Sequence, residues 1–272
     1  MERYSVLMSL YKKENSNYLR EAIESILNQT VLPDEIVIVE DGELTDELLE
    51  VLIFYKKKFP KIFNIVKNKK NLGLGLSLNN GLKNCRNELV ARMDTDDISK
   101  IDRCEKQLKV FEEFPELTIV GSYIDEFQGN ITNIISTRKV PIEMKEIYNF
   151  AKRRSAFNHP VVMYKKSKVL ECGGYKDLRR NQDVELFGRM LYLGYLAKNI
   201  PESLLYFRNT DELIKRRKSW ENTKSYILTI KDFWKMGYSN FSDFLIVGIV
   251  QIIMYLIPKE IQNVVYKLFL RK

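Results

Sequence analysis

The sequence is poor in cysteine, with only Cys85, Cys104 and Cys172 and no CxxC pair. An odd count without paired spacing gives neither a disulfide framework nor a zinc site, and fits a reducing compartment. Long apolar runs are also missing. The stretch Phe244 to Ile257 has only Gln251 as a clearly polar residue, but it falls short of the roughly 20 residues a spanning helix needs. The N-terminus, Met1-Glu2-Arg3-Tyr4, runs into a strand-like segment without the apolar core and cleavage site of a signal peptide. Gly73-Leu74-Gly75 lacks the third glycine and the strand–helix context of a phosphate-cradling loop. No internal repeat or low-complexity segment occurs.

What remains is an ordinary globular composition, 45% apolar and 29% charged over 272 residues. That length suits one large domain, or one domain with a small appendage. The net charge of +8 is compatible with nucleic acid, an anionic membrane surface, a phosphorylated substrate or simply a lysine-rich surface.

Short buried-strand patterns alternate with helical ones. Ser5 to Leu10, Ile36 to Val39, Ile62 to Val66 and Glu88 to Met93 read as strands. Leu19, Ala22, Ile23, Ile26 and Leu27 recur at helical spacing, as do Leu48, Leu49, Leu52 and Ile53, and Leu74 to Leu82 reads as a further helix. This alternation predicts a parallel α/β sheet, whose ligands sit beyond the carboxyl ends of its strands. Asp41 and Asp94 each follow such an end. Beyond them a helix from Ile101 to Phe114 is expected to turn Ile101, Cys104, Leu108 and Phe111 inward. Strands are expected over Leu117 to Tyr123 and Ala156 to Tyr164, and a helix over Asp183 to Leu193, with less regular chain from 129 to 154. Past Pro258, the residues Ile261, Val264, Val265, Leu268 and Phe269 form one helical face flanked by Lys259, Lys267, Arg271 and Lys272. An apolar face with basic flanks reads as a helix lying in a membrane surface, or as a hairpin packed on the core or on a second subunit.

Asp94-Thr95-Asp96-Asp97 carries the chemistry. Three carboxylates in four residues repel one another unless a cation binds, and Mg²⁺ or Mn²⁺ takes oxygen ligands from carboxylates and substrate phosphates. A helix cap by Asp97 or Ser99 would account for one acid, not three. EF-hand spacing is absent.

The ordered set Ser5-Val6-Leu7-Met8-Ser9-Leu10-Tyr11, Ser25-Ile26-Leu27-Asn28-Gln29-Thr30, Glu35 to Gly42, Asn71-Leu72-Gly73 and the Asp cluster resembles the family 2 glycosyltransferases. In detail it resembles the bacterial enzymes that build capsule, exopolysaccharide or O-antigen units. The resemblance covers roughly residues 4 to 210. It implies an α/β GT-A fold, a Rossmann-like nucleotide-binding mixed sheet flanked by helices, here with a C-terminal helical membrane-associating segment. Residues 1–212 would form the transferase domain, with 1–100 as the nucleotide-sugar half and 101–212 as the acceptor half, and 213–272 the helical extension.

The resemblance also implies residue roles. Asp41 would accept a hydrogen bond from uracil, with Ser9, Tyr11 and Asn71 bordering the UDP-sugar. Asp94 and Asp96 match the Asp-x-Asp motif. Asp96 would be the direct ligand of Mn²⁺ or Mg²⁺, Asp94 would lie nearer the donor sugar, and Asp97 would serve either task. Asp183, in Asn181-Gln182-Asp183-Val184-Glu185, matches the catalytic base, while capping its own helix is the competing reading. His159, the only histidine, and Glu185 are candidates for the acceptor site. Arg208 is expected on the nucleotide, with Arg179, Arg180, Arg216 and Arg217 as further cations for the diphosphate or for lipid phosphate. Glucose or galactose would pass to a lipid-linked saccharide at the cytoplasmic face of a bacterial inner membrane, with a homodimer as one possible state.

Two departures stand out. Glu40-Asp41-Gly42-Glu43 replaces the usual Asp-Asp-Gly-Ser, and Leu78 stands where Arg is common before Asn79-Asn80-Gly81. The Gln-x-x-Arg-Trp motif of processive synthases is absent, which favours single addition. A sugar nucleotidyltransferase would need a glycine-rich basic loop where Ser9-Leu10-Tyr11-Lys12-Lys13 stands. A nucleic-acid-binding protein would interleave basic and aromatic residues on one element, whereas here the charges are scattered.

Overall fold

A computed structural model describes residues 2–210 and 219–258. The expected basic run at 215–218 and the apolar helical face at 261–269 lie outside the described residues. In chain order the strands are β1 (Tyr4–Leu10), β2 (Glu35–Asp41), β3 (Phe63–Asn68), β4 (Leu89–Arg92), β5 (Ile98–Ser99), β6 (Ile119–Phe127), β7 (Ile134–Arg138), β8 (Met163–Lys165) and β9 (Ala197–Arg208). The helices are α1 (Ser16–Leu27), α2 (Asp46–Lys58), α3 (Leu74–Asn84), α4 (Arg103–Glu113), α5 (Met144–Ala151), α6 (Lys166–Glu171), α7 (Gln182–Tyr192), α8 (Trp220–Lys235) and α9 (Phe241–Leu256).

One nine-stranded sheet runs β3-β2-β1-β4-β8-β6-β9-β5, with β7 paired to β6. Its first four strands are parallel. β8 then runs antiparallel to β4, and β6 antiparallel to β8. All seven residues of β2 are buried, as a strand covered on both faces requires. Alternate side chains feed two cores. Val6, Met8, Ile36 and Ile38 meet Leu19, Leu52 and Leu108 of α1, α2 and α4. Leu7, Val37, Val39 and Val90 meet Leu78, Ile147, Leu186 and Phe233 of α3, α5, α7 and α8. Each such fully buried side chain contributes about 1.5–3 kcal/mol.

Helix ends follow local chemistry. Asn15 caps α1 by accepting from the N–H groups of Asn17 and Tyr18. α2 opens on Asp46 and Glu47 and closes on Lys56, Lys57 and Lys58, matching the helix dipole. From β1 the chain crosses to β2 on one side and later to β4 on the other, so the crevice at their carboxyl ends is a topological switch point.

Several expectations needed correction. Ile101 is 61% exposed, because α4 starts only at Arg103 and Ile101 precedes its inward stripe. The strand expected over Ala156 to Tyr164 is a short 3₁₀ turn, His159–Val161, followed by β8. The region from 129 to 154 contains β7 and α5. Among the described residues, no helix is long and apolar enough to cross a membrane.

Candidate active site

Asp41 ends β2, and its carboxylate organises the turn that follows β3. Oδ1 accepts from Leu72 N at 2.7 Å and from Asn68 Nδ2 at 3.1 Å, and Oδ2 accepts from Gly73 N at 3.0 Å. Asn71 donates to the Asp41 carbonyl at 3.2 Å. Three of the roughly four acceptor positions of a carboxylate are therefore taken by the protein. Gly42 has φ 86°, and a Cβ there would lie 2.7 Å from Asn71 N, so only glycine lets the two turns meet. Ser9 and Tyr11, at the end of β1, are half-buried on the same rim, and Asn71 is exposed.

The acidic cluster follows β4, the neighbour of β1. One carboxylate oxygen each from Asp94, Asp96 and Asp97 lies within 4.8 Å of the others. Asp97 does not cap α4. Its N-cap is Asp102, which makes no side-chain cap bond, and Asp97 Oδ1 instead accepts from Arg208 N at 2.9 Å. Asp97 Oδ2 is buried without a hydrogen-bond partner. Burial, then the charges of Asp96 and Asp94, raise the Asp97 carboxyl well above its usual range. A buried orphan oxygen among mutually repelling carboxylates is a donor set suited to a hard divalent cation.

Arg92, 1% exposed at the end of β4, forms an ion pair with Asp94. Burial alone would lower its pKa, but Asp94 outweighs that and keeps the guanidinium charged. Its charge also reaches Asp97, Tyr175, His159 and Asp183. Arg92 thus stands electrostatically between the acid cluster and α7. The expected site set omitted it, although an arginine inside the apolar run Leu89-Val90-Ala91-Arg92-Met93, one residue before the acids, was a visible signal.

Asp183 lies in the first turn of α7, whose N-cap is Asn181 in the left-handed conformation (φ 59°). Burial raises its carboxyl, and the N–H groups of Val184 and of Asp183 itself offset that only in part.

Three expected site residues are placed otherwise. Arg208 is 5% exposed, with its guanidinium 3.8 Å from the Tyr18 ring centre and 4.7 Å from that of Phe127. It pairs with Glu21 and donates from Nε to the Asp96 carbonyl at 2.8 Å. It braces the acid cluster from behind instead of lining the nucleotide crevice. His159 is buried, with Nε2 2.9 Å from the Tyr175 hydroxyl and Phe187 against its ring. Burial, then Arg92, push its pKa well below the usual value, so it is a neutral core residue. Glu185, 2% exposed, is held by Arg189 through two 2.8 Å bonds and by Lys176 at 2.8 Å. Burial raises it, but these partners outweigh burial and keep it ionised. It fastens α7.

A mixed sheet carrying an acidic metal-type cluster at its switch point defines a GT-A glycosyltransferase. The chain belongs to glycosyl transferase family 2, whose model matches residues 5–177. It is 39% identical over 270 residues to an uncharacterized glycosyltransferase of Haemophilus influenzae, covering 99% of this chain and 100% of that one. It is 34% identical to the UDP-Gal:alpha-D-GlcNAc-diphosphoundecaprenol beta-1,3-galactosyltransferase of Escherichia coli, over 99% of this chain and 97% of the relative. It is 36% identical to the amylovoran biosynthesis glycosyltransferase AmsE of Erwinia amylovora, over 82% and 83%. Among solved structures, the mannosyltransferase PcManGT of Pyrobaculum calidifontis, in complex with GDP-Man and Mn²⁺, superposes with a TM-score of 0.67 at 15% identity. That match covers 92% of this chain and 69% of the other. A fragment of S. aureus TarS gives 0.65 at 15% identity, over 98% and 75%. These structural likenesses establish the fold.

Proposed function

We propose that the chain moves one sugar, glucose or galactose, with inversion, from a UDP-sugar to a hydroxyl of a polyprenyl-diphosphate-linked oligosaccharide. This would serve surface polysaccharide biosynthesis at the cytoplasmic face of the plasma membrane. Residues 1–212 would be the transferase unit and 213–272 its membrane-facing extension. The observation that carries this reading is the convergence of Asp94, Asp96 and Asp97 on the rim that also holds the Asp41 turn. The relative named for a UDP-Gal donor and a diphosphoundecaprenol acceptor supports the choice of substrates.

The uracil would lie in the crevice beyond β1 and β2, bordered by Ser9, Tyr11 and Asn71, with the last acceptor position of Asp41 turned to the base. Asp96 and the orphan Oδ2 of Asp97 would hold Mn²⁺ or Mg²⁺, with Asp94, fixed by Arg92, toward the donor sugar. Bound there, the cation would offset the charge that develops on the departing UDP. Asp183 would take the proton of the acceptor hydroxyl as its oxygen bonds to C1 and the C1–O bond to the diphosphate breaks. Its raised pKa brings it nearer the pH at which it must work, the usual requirement for a general base.

Incubation with a panel of UDP-sugars and a sugar-diphosphate-alkyl acceptor tests this, with the product anomer read by proton NMR. A β-linked product from one UDP-α-hexose is expected. An α-linked product, or turnover of no UDP-sugar, would overturn the reading.

A further inference from the structure

α3 begins just after the turn that Asp41 organises and stays fastened to it. Asn68, at the end of β3, donates from Nδ2 to Asp41 Oδ1 at 3.1 Å and to Ser77 Oγ of α3 at 2.9 Å. Asn80 Nδ2 of α3 donates in turn to Asn68 Oδ1 at 2.7 Å. Leu78 and Leu82 seat the same helix on Leu7, Val37 and Val39 of the sheet.

α3 also grips the segment Gly174-Tyr175-Lys176. Asn79 closes two bonds on the main chain of Tyr175. Its Oδ1 accepts from Tyr175 N at 2.8 Å, and its Nδ2 donates to Tyr175 O at 2.7 Å. Gly174 has φ 69°, and a Cβ there would collide with Asn79 Oδ1. A Cβ on Gly75 would fall 2.9 Å from Lys176 O and 3.4 Å from Gln182 Cγ, so α3 lies directly against both the segment and the residue before Asp183.

From its other side the segment is held by α7. Arg189 Nη2 donates to Gly174 O at 2.7 Å, and Arg189 Nη1 donates to Cys172 O. Lys176 pairs with Glu185 at 2.8 Å, and Glu185 also holds Arg189. Printed side by side in the fold, these bonds run from Asp41 through Asn68 and α3 to Asn79, then through the Tyr175 main chain to α7. An apolar side chain at position 79 would pack the segment without fixing its direction. Two hydrogen bonds to one residue's main chain fix both its distance and its angle.

We propose that Asn79 is a positioning residue for the transfer, setting where Asp183 stands relative to the donor turn at Asp41. This rests on the reading of Asp183 as the base. The run Leu78-Asn79-Asn80-Gly81 then has two directions of work, Asn80 toward the donor turn and Asn79 toward the base. A misplacement of about 1 Å among reacting groups can cost about a hundredfold in rate, so loosening this clamp acts on the chemical step.

Asn79→Ala and Gly174→Ala, each alone and each combined with Asp183→Asn, test this. The two single variants break the same clamp from opposite sides. Transfer kinetics are measured at saturating Mn²⁺ and acceptor, with rates normalised to the folded fraction from thermal melting. Each single variant should lower kcat at least about tenfold and leave the KM for the UDP-sugar within about twofold. In the Asp183→Asn background neither should lower kcat further, because the group they aim is already lost. Falls that multiply in the double variants would overturn the positioning role, as would a wild-type kcat in both single variants or an effect confined to the KM for the UDP-sugar. If Asp183→Asn alone is as fast as the wild type, the base reading fails and the positioning falls with it. If Asp183→Asn is slow and the falls multiply, the base stands and only Asn79 is removed.

Discussion

Arg208 shows how much of the acid cluster depends on a residue that lines no crevice. Its N–H groups hold the Asp97 side chain and the Asp96 carbonyl, and its guanidinium lies against Tyr18 and Phe127 while paired with Glu21. Arg208→Met leaves the backbone donor to Asp97 but removes the tie to Asp96. We expect a loss of about 2 kcal/mol in stability, from charged hydrogen bonds in a buried setting, together with weaker activation by Mn²⁺. Thermal melting and a metal titration of UDP release check both, and undiminished Mn²⁺ activation would remove Arg208 from this role. Asp183 gives a second residue-scale expectation. A base works deprotonated, and its raised pKa means that kcat/KM climbs with pH through a value above the ordinary aspartate pKa of about 3.9. Asp183→Asn should lower kcat by at least about a hundredfold and abolish that limb in the pH profile. The acid cluster was legible in the sequence because its neighbours in the chain carry the pattern. The placements of Arg208, His159 and Glu185 were not. Arg208 meets Glu21 across 187 positions of sequence, and His159 is decided by Tyr175 and Phe187 on other elements.

At the level of elements, the parallel half was readable, and so was β6, which overlaps the strand expected over Leu117 to Tyr123, whereas β5, β7 and β9 were not. β1, β2 and β4 are short apolar runs buried on both faces, and the helices between them show a clean inward stripe. β9 spans twelve residues with polar and apolar positions mixed, Ala197-Lys198-Asn199-Ile200-Pro201-Glu202, because it bulges against β6 between Ser122 and Asp125. Such a segment has neither a period of two nor a continuous apolar run, so nothing in it marked a strand. β8 is only three residues long, its register set by β4 and β6 and not by its own composition. The packing of α7 on α8 offers a direct check. A Cβ on Gly188 would fall 2.1 Å from the Phe233 ring, so Gly188→Ala must push the two helices apart. The expected cost is about 1–3 kcal/mol from overpacking, read as a lower denaturation midpoint, and Gly188→Ala with Phe233→Leu should recover part of it. An unchanged midpoint in the single variant would contradict the close approach.

For the whole molecule, the sheet divides the work. The switch point between β1 and β4 gathers the residues proposed for the donor, and the acid cluster follows it on the same rim. α7 brings Asp183, the proposed base, α8 packs on α7 through Ile230 and Phe233, and α9 carries a nearly bare apolar surface. α9, sixteen residues long, measures about 24 Å, too short to span a bilayer core of roughly 30 Å. Its exposed apolar face is the described feature that fits a membrane-proximal acceptor. The net charge of +8, compatible at first with nucleic acid, is equally compatible with the diphosphates of the proposed substrates. The central claim is that the chain transfers sugar from UDP by way of a divalent cation held at Asp94, Asp96 and Asp97. The most direct measurement is UDP release from the preferred UDP-sugar, with a sugar-diphosphate-alkyl acceptor, in EDTA and after addition of Mn²⁺, for the wild type and Asp96→Ala. We predict release only with Mn²⁺ in the wild type, and a rate at least about a hundredfold lower in Asp96→Ala. Full release in EDTA, or an Asp96→Ala variant as active as the wild type, would contradict it.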